Sequence, residues 1–84
     1  MSYTNTDTSA MRPEIAEIFM DVFQYDGPIA PHTCPDDVER WDSLQHIALV
    51  RVLEERFEIS MTMDEMMELR SAGDIESVLA RHGV

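Results

Sequence analysis

A serine stands between an acid and a leucine at Asp42-Ser43-Leu44, and His46 follows three residues later. Three chemistries compete for that hydroxyl. A Ser and a His one helical turn apart are the parts of a nucleophile and its base. The hydrolase reading is poor, because no Gly-x-Ser-x-Gly elbow surrounds Ser43 and no acid is placed to orient His46. A helix start also disfavours the imidazolium that a base must become, so His46 is expected as an exposed polar residue. Alternatively Ser43 caps the helix, a contribution of about 1 kcal/mol. As a third reading its hydroxyl accepts a charged group, since helix-start amides and the helix dipole stabilise a phosphodiester. Without a base of its own, such a serine would be activated by a second enzyme. Spacing alone leaves cap and acceptor both open.

Metal chemistry has weaker support. His32 and Cys34, or Asp36, Asp37, Glu39 and Asp42, are the available ligand types near Ser43. Zinc takes further Cys or His in paired spacing, and a calcium loop takes alternating oxygens around a Gly with a closing Glu. Neither pattern is present, so solvated loop charges and no metal are expected.

The elements that would position Ser43 can be read from periodicity. Residues 1–10 are dominated by Ser, Thr, Asn and Asp and are expected to be a flexible tail, with the folded domain over 11–84. Met11, Ile15, Ile18, Phe19, Val22 and Phe23 share one helical face, with Ser9 as a candidate cap, Pro13 in the first turn and Tyr25-Asp26-Gly27-Pro28 as the stop. Three prolines and no sustained period mark residues 25–41 as a long ordered loop, which Ile29, Val38 and Trp41 would anchor to the core. Asp42 or Ser43 then opens helix two, with Asp42 and Gln45 in capping-box spacing and an apolar stripe of Ile47, Leu49, Val50, Leu53 and Phe57. Thr62 and Glu65 form a second capping box before a short third helix to about Leu69. Its Met61, Met63, Met66 and Met67 are expected to be core, with an adaptable apolar cavity as the alternative. Ser71 caps a fourth helix carrying Ile75, Val78 and Leu79 and ending near His82-Gly83. The expectation is an all-α four-helix bundle with a long loop between helices one and two and a short third helix.

Composition narrows the function. Eighty-four residues suit one small domain, too small for a deep catalytic cleft, so a non-enzymatic module is expected. Seventeen Asp and Glu against six Arg, with no Lys, give a net charge of -11. Nucleic acid and anionic membrane would repel such a chain, whereas basic protein partners would be steered to it. The single Cys34, the lack of a signal-peptide pattern and the lack of a membrane-length apolar run make cytoplasm the expected compartment.

Asp42-Ser43-Leu44, then Leu49-Val50-Arg51-Val52-Leu53-Glu54-Glu55-Arg56-Phe57-Glu58-Ile59, then Ser71-Ala72-Gly73-Asp74-Ile75, together resemble an acyl carrier protein over roughly residues 11–83. The resemblance implies that a phosphopantetheinyl transferase attaches 4'-phosphopantetheine from coenzyme A to Ser43. The resulting thiol arm would carry acyl groups as thioesters. It further implies that Asp42 helps position the reactants and metal in the transferase complex, and that Leu44 is an apolar contact beside the arm. Glu54 and Glu55 would be acids read by acyl-loading and acyl-transferring biosynthetic enzymes, with Ile47 on the same docking face of a monomer. Many fatty-acid carriers have a Gly-containing turn before the serine and acids soon after it. Here Arg40-Trp41 and Gln45, His46 and Ala48 occupy those places, which suits a carrier for a polyketide, modified-lipid or surface-glycan pathway somewhat better than a fatty-acid one, with both left open. From a different class, the competing expectation is an acidic helical interaction module without a prosthetic group, in which Ser43 is only a cap.

Overall fold

The structure, a computed structural model, describes residues 12–84. The tail, the Ser9 cap and the Met11 position lie outside the described residues. Within them the chain forms four helices and no strand: α1 (Pro13–Phe23), α2 (Ser43–Phe57), α3 (Met63–Glu68) and α4 (Ala72–Arg81). The expected all-α four-helix architecture, with its short third helix, is the observed one.

Each boundary has a local cause. Pro13 opens α1, and the side chain of Arg12, at the cap position, makes no cap bond. Glu76 of α4 instead anchors the cap residue itself, accepting from the Arg12 amide at 2.8 Å and from its Nε at 2.9 Å. α1 stops before the Tyr25-Asp26-Gly27-Pro28 segment expected to end it. Gln24 turns into the left-handed region at φ 54°, and the amides of Gln24 and Tyr25 return to Met20 O and Phe19 O. Glu58 ends α2 similarly at φ 55°. Thr62 and Glu65 close a complete capping box on α3, while Ser71 caps α4 by accepting from the Asp74 amide.

The core is built from Ile15, Ile18, Phe19, Val22 and Phe23 of α1, Leu49, Val50 and Leu53 of α2, and Ala72, Ile75, Val78 and Leu79 of α4. The long loop is packed into it. Val38 and Trp41 are buried, and the Trp41 ring stacks on Phe23 at 5.3 Å and meets Phe19 edge-on at 5.5 Å. Farther back in the loop, Thr33 O and Pro31 O accept the amides of Ala72 and Gly73, each at 2.8 Å. Those amides belong to the first turn of α4 and have no partner within the helix. A Cβ on Gly73 would come within 2.9 Å of Pro31 O, so glycine permits this approach. The loop thus bridges α4 to the start of α2 and fixes the entry to Ser43.

α3 is attached differently. Glu65 lies between Thr62 and His82, accepting from the Thr62 amide at 3.0 Å and lying 3.0 Å from His82 Nε2. Glu68 meets Arg81 through two bonds of 3.0 and 3.1 Å. The Thr62 amide first, and His82 second, hold the Glu65 carboxyl below the usual carboxylate range, and Arg81 does the same for Glu68.

Candidate functional site

Ser43 is exposed at the first helical position of α2 and is not its cap. Asp42 holds that place, its Oδ1 accepting from the Gln45 amide at 2.8 Å and its carbonyl from the His46 amide at 2.8 Å. The capping reading of Ser43 is therefore corrected: the cap is its neighbour, and among the described residues no partner takes the Ser43 hydroxyl. Two first-turn amides, those of Ser43 and Leu44, remain beside it for an anion. The reciprocal half of the expected Asp42–Gln45 box is absent. Gln45 instead reaches into the fold, its Nε2 donating to Val22 O at 2.7 Å and tying the start of α2 to the end of α1.

His46, expected to be exposed, is half-buried. Its Nδ1 accepts from the Trp41 indole N–H at 2.9 Å, and its Nε2 lies 2.9 Å from Met66 O, while the two rings stack within 12° of parallel. An indole N–H only donates and a carbonyl only accepts, so the pattern selects the neutral imidazole with its proton on Nε2. Neither nitrogen is left to take a proton from Ser43. The hydrolase reading fails on this geometry. Trp41, His46 and Gln45 form a set of ties that residue spacing did not reveal; the one signal for them is an aromatic residue and a His five apart around the helix start.

The other ligand types do not converge. Among the described residues no three His, Cys, Asp or Glu side chains group as they would around a metal. Asp37 turns back on its own loop, accepting from the Cys34 amide at 3.1 Å.

Two apolar side chains in the first turns of α2 face solvent. Leu44 is 74% exposed and Ile47 59%. Ile47 therefore leaves the core stripe in which periodicity placed it, because six residues separate it from Leu53 and turn it about 120° away around the helix. The methionines divide as well. Met61 is buried and Met66 packs on the core, but Met63 and Met67 are 70% and 66% exposed, so the expectation that all four are core is corrected. With His46, Ile47, Val50, Arg51 and Glu54 of α2, residues Met63, Met66 and Met67 of α3 line a mainly apolar cleft of about 390 Å³. A shallow depression, open to solvent and of about 380 Å³, lies at Ser43 itself, lined by Pro35, Trp41, Asp42, Ser43 and His46. A larger one, about 560 Å³ between α1 and the loop, includes none of these residues, and the Arg56–Glu17 ion pair lines it.

Of the two acids expected on the docking face, Glu55 is exposed. Glu54 is half-buried, and its Oε2 accepts from the Met61 amide at 2.9 Å, fixing the chain between α2 and α3.

Comparison with known proteins agrees with this geometry. A family model described as the phosphopantetheine attachment site matches residues 13–79. No curated protein matches the sequence. Among solved structures, one assigned as an acyl carrier protein from Mycobacterium tuberculosis superposes with a TM-score of 0.75 at 24% identity, covering 84% of this chain and 96% of its own, and shows the shared fold. The solution structure of the holo acyl carrier protein from Geobacter metallireducens superposes with a TM-score of 0.69 at 31% identity, covering 82% of this chain and 85% of its own. The family match over most of the chain, joined to the 31% identity with the Geobacter carrier, shows that this chain belongs to the phosphopantetheine-attachment family of acyl carrier proteins.

Proposed function

We propose that Ser43 is the attachment residue for 4'-phosphopantetheine and that the chain carries acyl intermediates of a specialised biosynthetic pathway. The observation that supports this most is the division of labour at the start of α2: Asp42 performs the capping, and the Ser43 hydroxyl is left exposed with no hydrogen-bond partner among the described residues. When bound, the prosthetic group supplies a thiol that holds acyl groups as thioesters. The protein's part is positional. The Ser43 and Leu44 amides and the positive end of α2 face an anionic phosphodiester at Ser43 Oγ, offsetting the repulsion from the Asp42 carboxylate. Asp42, exposed at the cap, is the acid offered to the transferase and its metal, and Leu44 is the apolar contact beside the arm.

Partner enzymes dock on the solvent face of α2, through Ile47 and Leu44 as apolar contacts and Glu55 as an acid for a basic patch, with Glu54 contributing from a more enclosed position. Gln45 and His46 occupy places that are acidic in many fatty-acid carriers, and both are spent on internal ties. The face near Ser43 is consequently more apolar, which favours partners other than the housekeeping fatty-acid enzymes. Among the described residues no helix is long and apolar enough to cross a membrane.

Incubation with coenzyme A and a broad-specificity phosphopantetheinyl transferase, followed by intact-mass measurement, tests the proposal. A single phosphopantetheinyl increment that disappears in Ser43→Ala is expected; no increment, or one that persists in Ser43→Ala, overturns it. The mass of the acyl group on protein from its native host identifies the pathway.

A further inference from the structure

The two arginines of α2 lie about 140° apart around the helix and are used differently. Arg56 turns toward α1 and pairs with Glu17. Arg51 is exposed and makes no ion pair among the described residues, although Glu54 and Glu55 follow at the spacing where helical pairs form. Glu54 is engaged by the Met61 amide. Leu44, Ile47, Arg51 and Glu55 are all exposed and share a sector of about 80° on the solvent side of α2. Their order along the axis is fixed: the apolar pair comes first, Arg51 lies about 12 Å from Ser43, and Glu55 about 18 Å. In a chain of net charge -11, the face leading away from Ser43 therefore has a cation at its middle. Whatever joins a group to Ser43 Oγ has to bring its reacting atoms to the first turn of α2, so its body covers this face. Acyl-handling enzymes act at the far end of a flexible arm and meet a looser constraint.

We propose that Arg51 is a specificity residue for the transferase that modifies this chain: that enzyme carries a carboxylate opposite Arg51, between an apolar recess for Leu44 and Ile47 and a cation for Glu55. This rests on the carrier reading above. The many acids of the chain draw a basic partner in at long range, whereas Arg51 acts on contact. A transferase with a wholly basic surface meets Arg51 with like charge and is disfavoured, which makes the residue a device against the wrong partner as well as a contact for the right one. Arg51 takes no part in bond making.

The test measures modification of the full chain by the phosphopantetheinyl transferase of its native host, as kcat and KM for the carrier with coenzyme A saturating. Arg51→Glu should raise KM about tenfold and leave kcat within about twofold, the pattern of lost binding without lost chemistry. Arg51→Lys, which keeps the charge, should stay close to the wild type. Asp and Glu residues on the carrier-binding surface of the transferase are then replaced singly by Arg. One of these variants should restore modification of Arg51→Glu and impair that of the wild type, a reciprocal effect that a merely structural role for Arg51 does not produce. A KM that is unchanged or lowered in Arg51→Glu, or the absence of any compensating transferase variant, overturns the specificity role and leaves the carrier reading intact, since the wild type is still modified. A wild-type chain that takes no phosphopantetheinyl group overturns the carrier reading and this role with it.

Discussion

On one side of α2, Leu49 and Leu53 are sealed in the core shared with α1 and α4; on the other, Leu44 and Ile47 face solvent beside a six-residue α3. The first side is held by burial. The second is held mainly by directed contacts: Glu65 with His82, Glu68 with Arg81, Glu54 with the Met61 amide, and His46 with Met66 O. Burial is insensitive to pH and intolerant of lost volume, whereas hydrogen bonds and ion pairs can open locally while the rest of the fold stands. A small domain built this way has a buried side under Ser43 and an opposite side whose contacts can open one at a time.

Substitutions that attack one side at a time break or sharpen that contrast. Leu53→Ala, at a fully buried position, is expected to cost about 2–5 kcal/mol by urea denaturation, a loss felt by all four helices. Removing the cap by Asp42→Ala should cost about 1 kcal/mol, while Asp42→Asn should restore the stability and still modify slowly with the transferase. That split separates the capping role of Asp42 from its role as an acid.

Acidification should act on the α3 side first. The Glu65 carboxyl ionises below the ordinary Glu value of about 4.3, so its contribution is fully present above that value and is lost as pH falls through the lower folded one. Hydrogen exchange should show the α3 amides losing protection in that acid window before those of α1, and Glu65→Gln should flatten this pH dependence. Equal loss of protection in α1 and α3 would contradict the division into two sides. The smallest effect on stability is expected from Glu55→Ala, within about 0.5 kcal/mol of the wild type, with weakened binding to the transferase measured by titration.

Much of this organisation was readable from local chemistry. Thr62 with Glu65, Ser71, Pro13 and Asp42 each act within a few residues of themselves, so their sequence context already contains their partners. The loop anchors Val38 and Trp41 were readable as isolated large apolar residues among prolines. What escaped were contacts across the fold. Gln45 meets Val22, and His46 meets Met66, across 23 and 20 residues of chain, and no helical period encodes such pairs. Ile47, Met63 and Met67 are apolar at plausible core spacings, but periodicity defines a face and not the width of the surface that covers it. Nor did spacing decide between Asp42 and Ser43 as the cap. The structure resolved that choice in favour of Asp42.

The claim that Ser43 is the attachment point is tested most directly by fragmenting the modified protein after treatment with coenzyme A and transferase. The phosphopantetheinyl group should be found on the peptide containing Asp42-Ser43-Leu44 and be assigned to Ser43 alone. Modification at any other serine, or a chain that stays unmodified while its transferase modifies a control carrier, would contradict it.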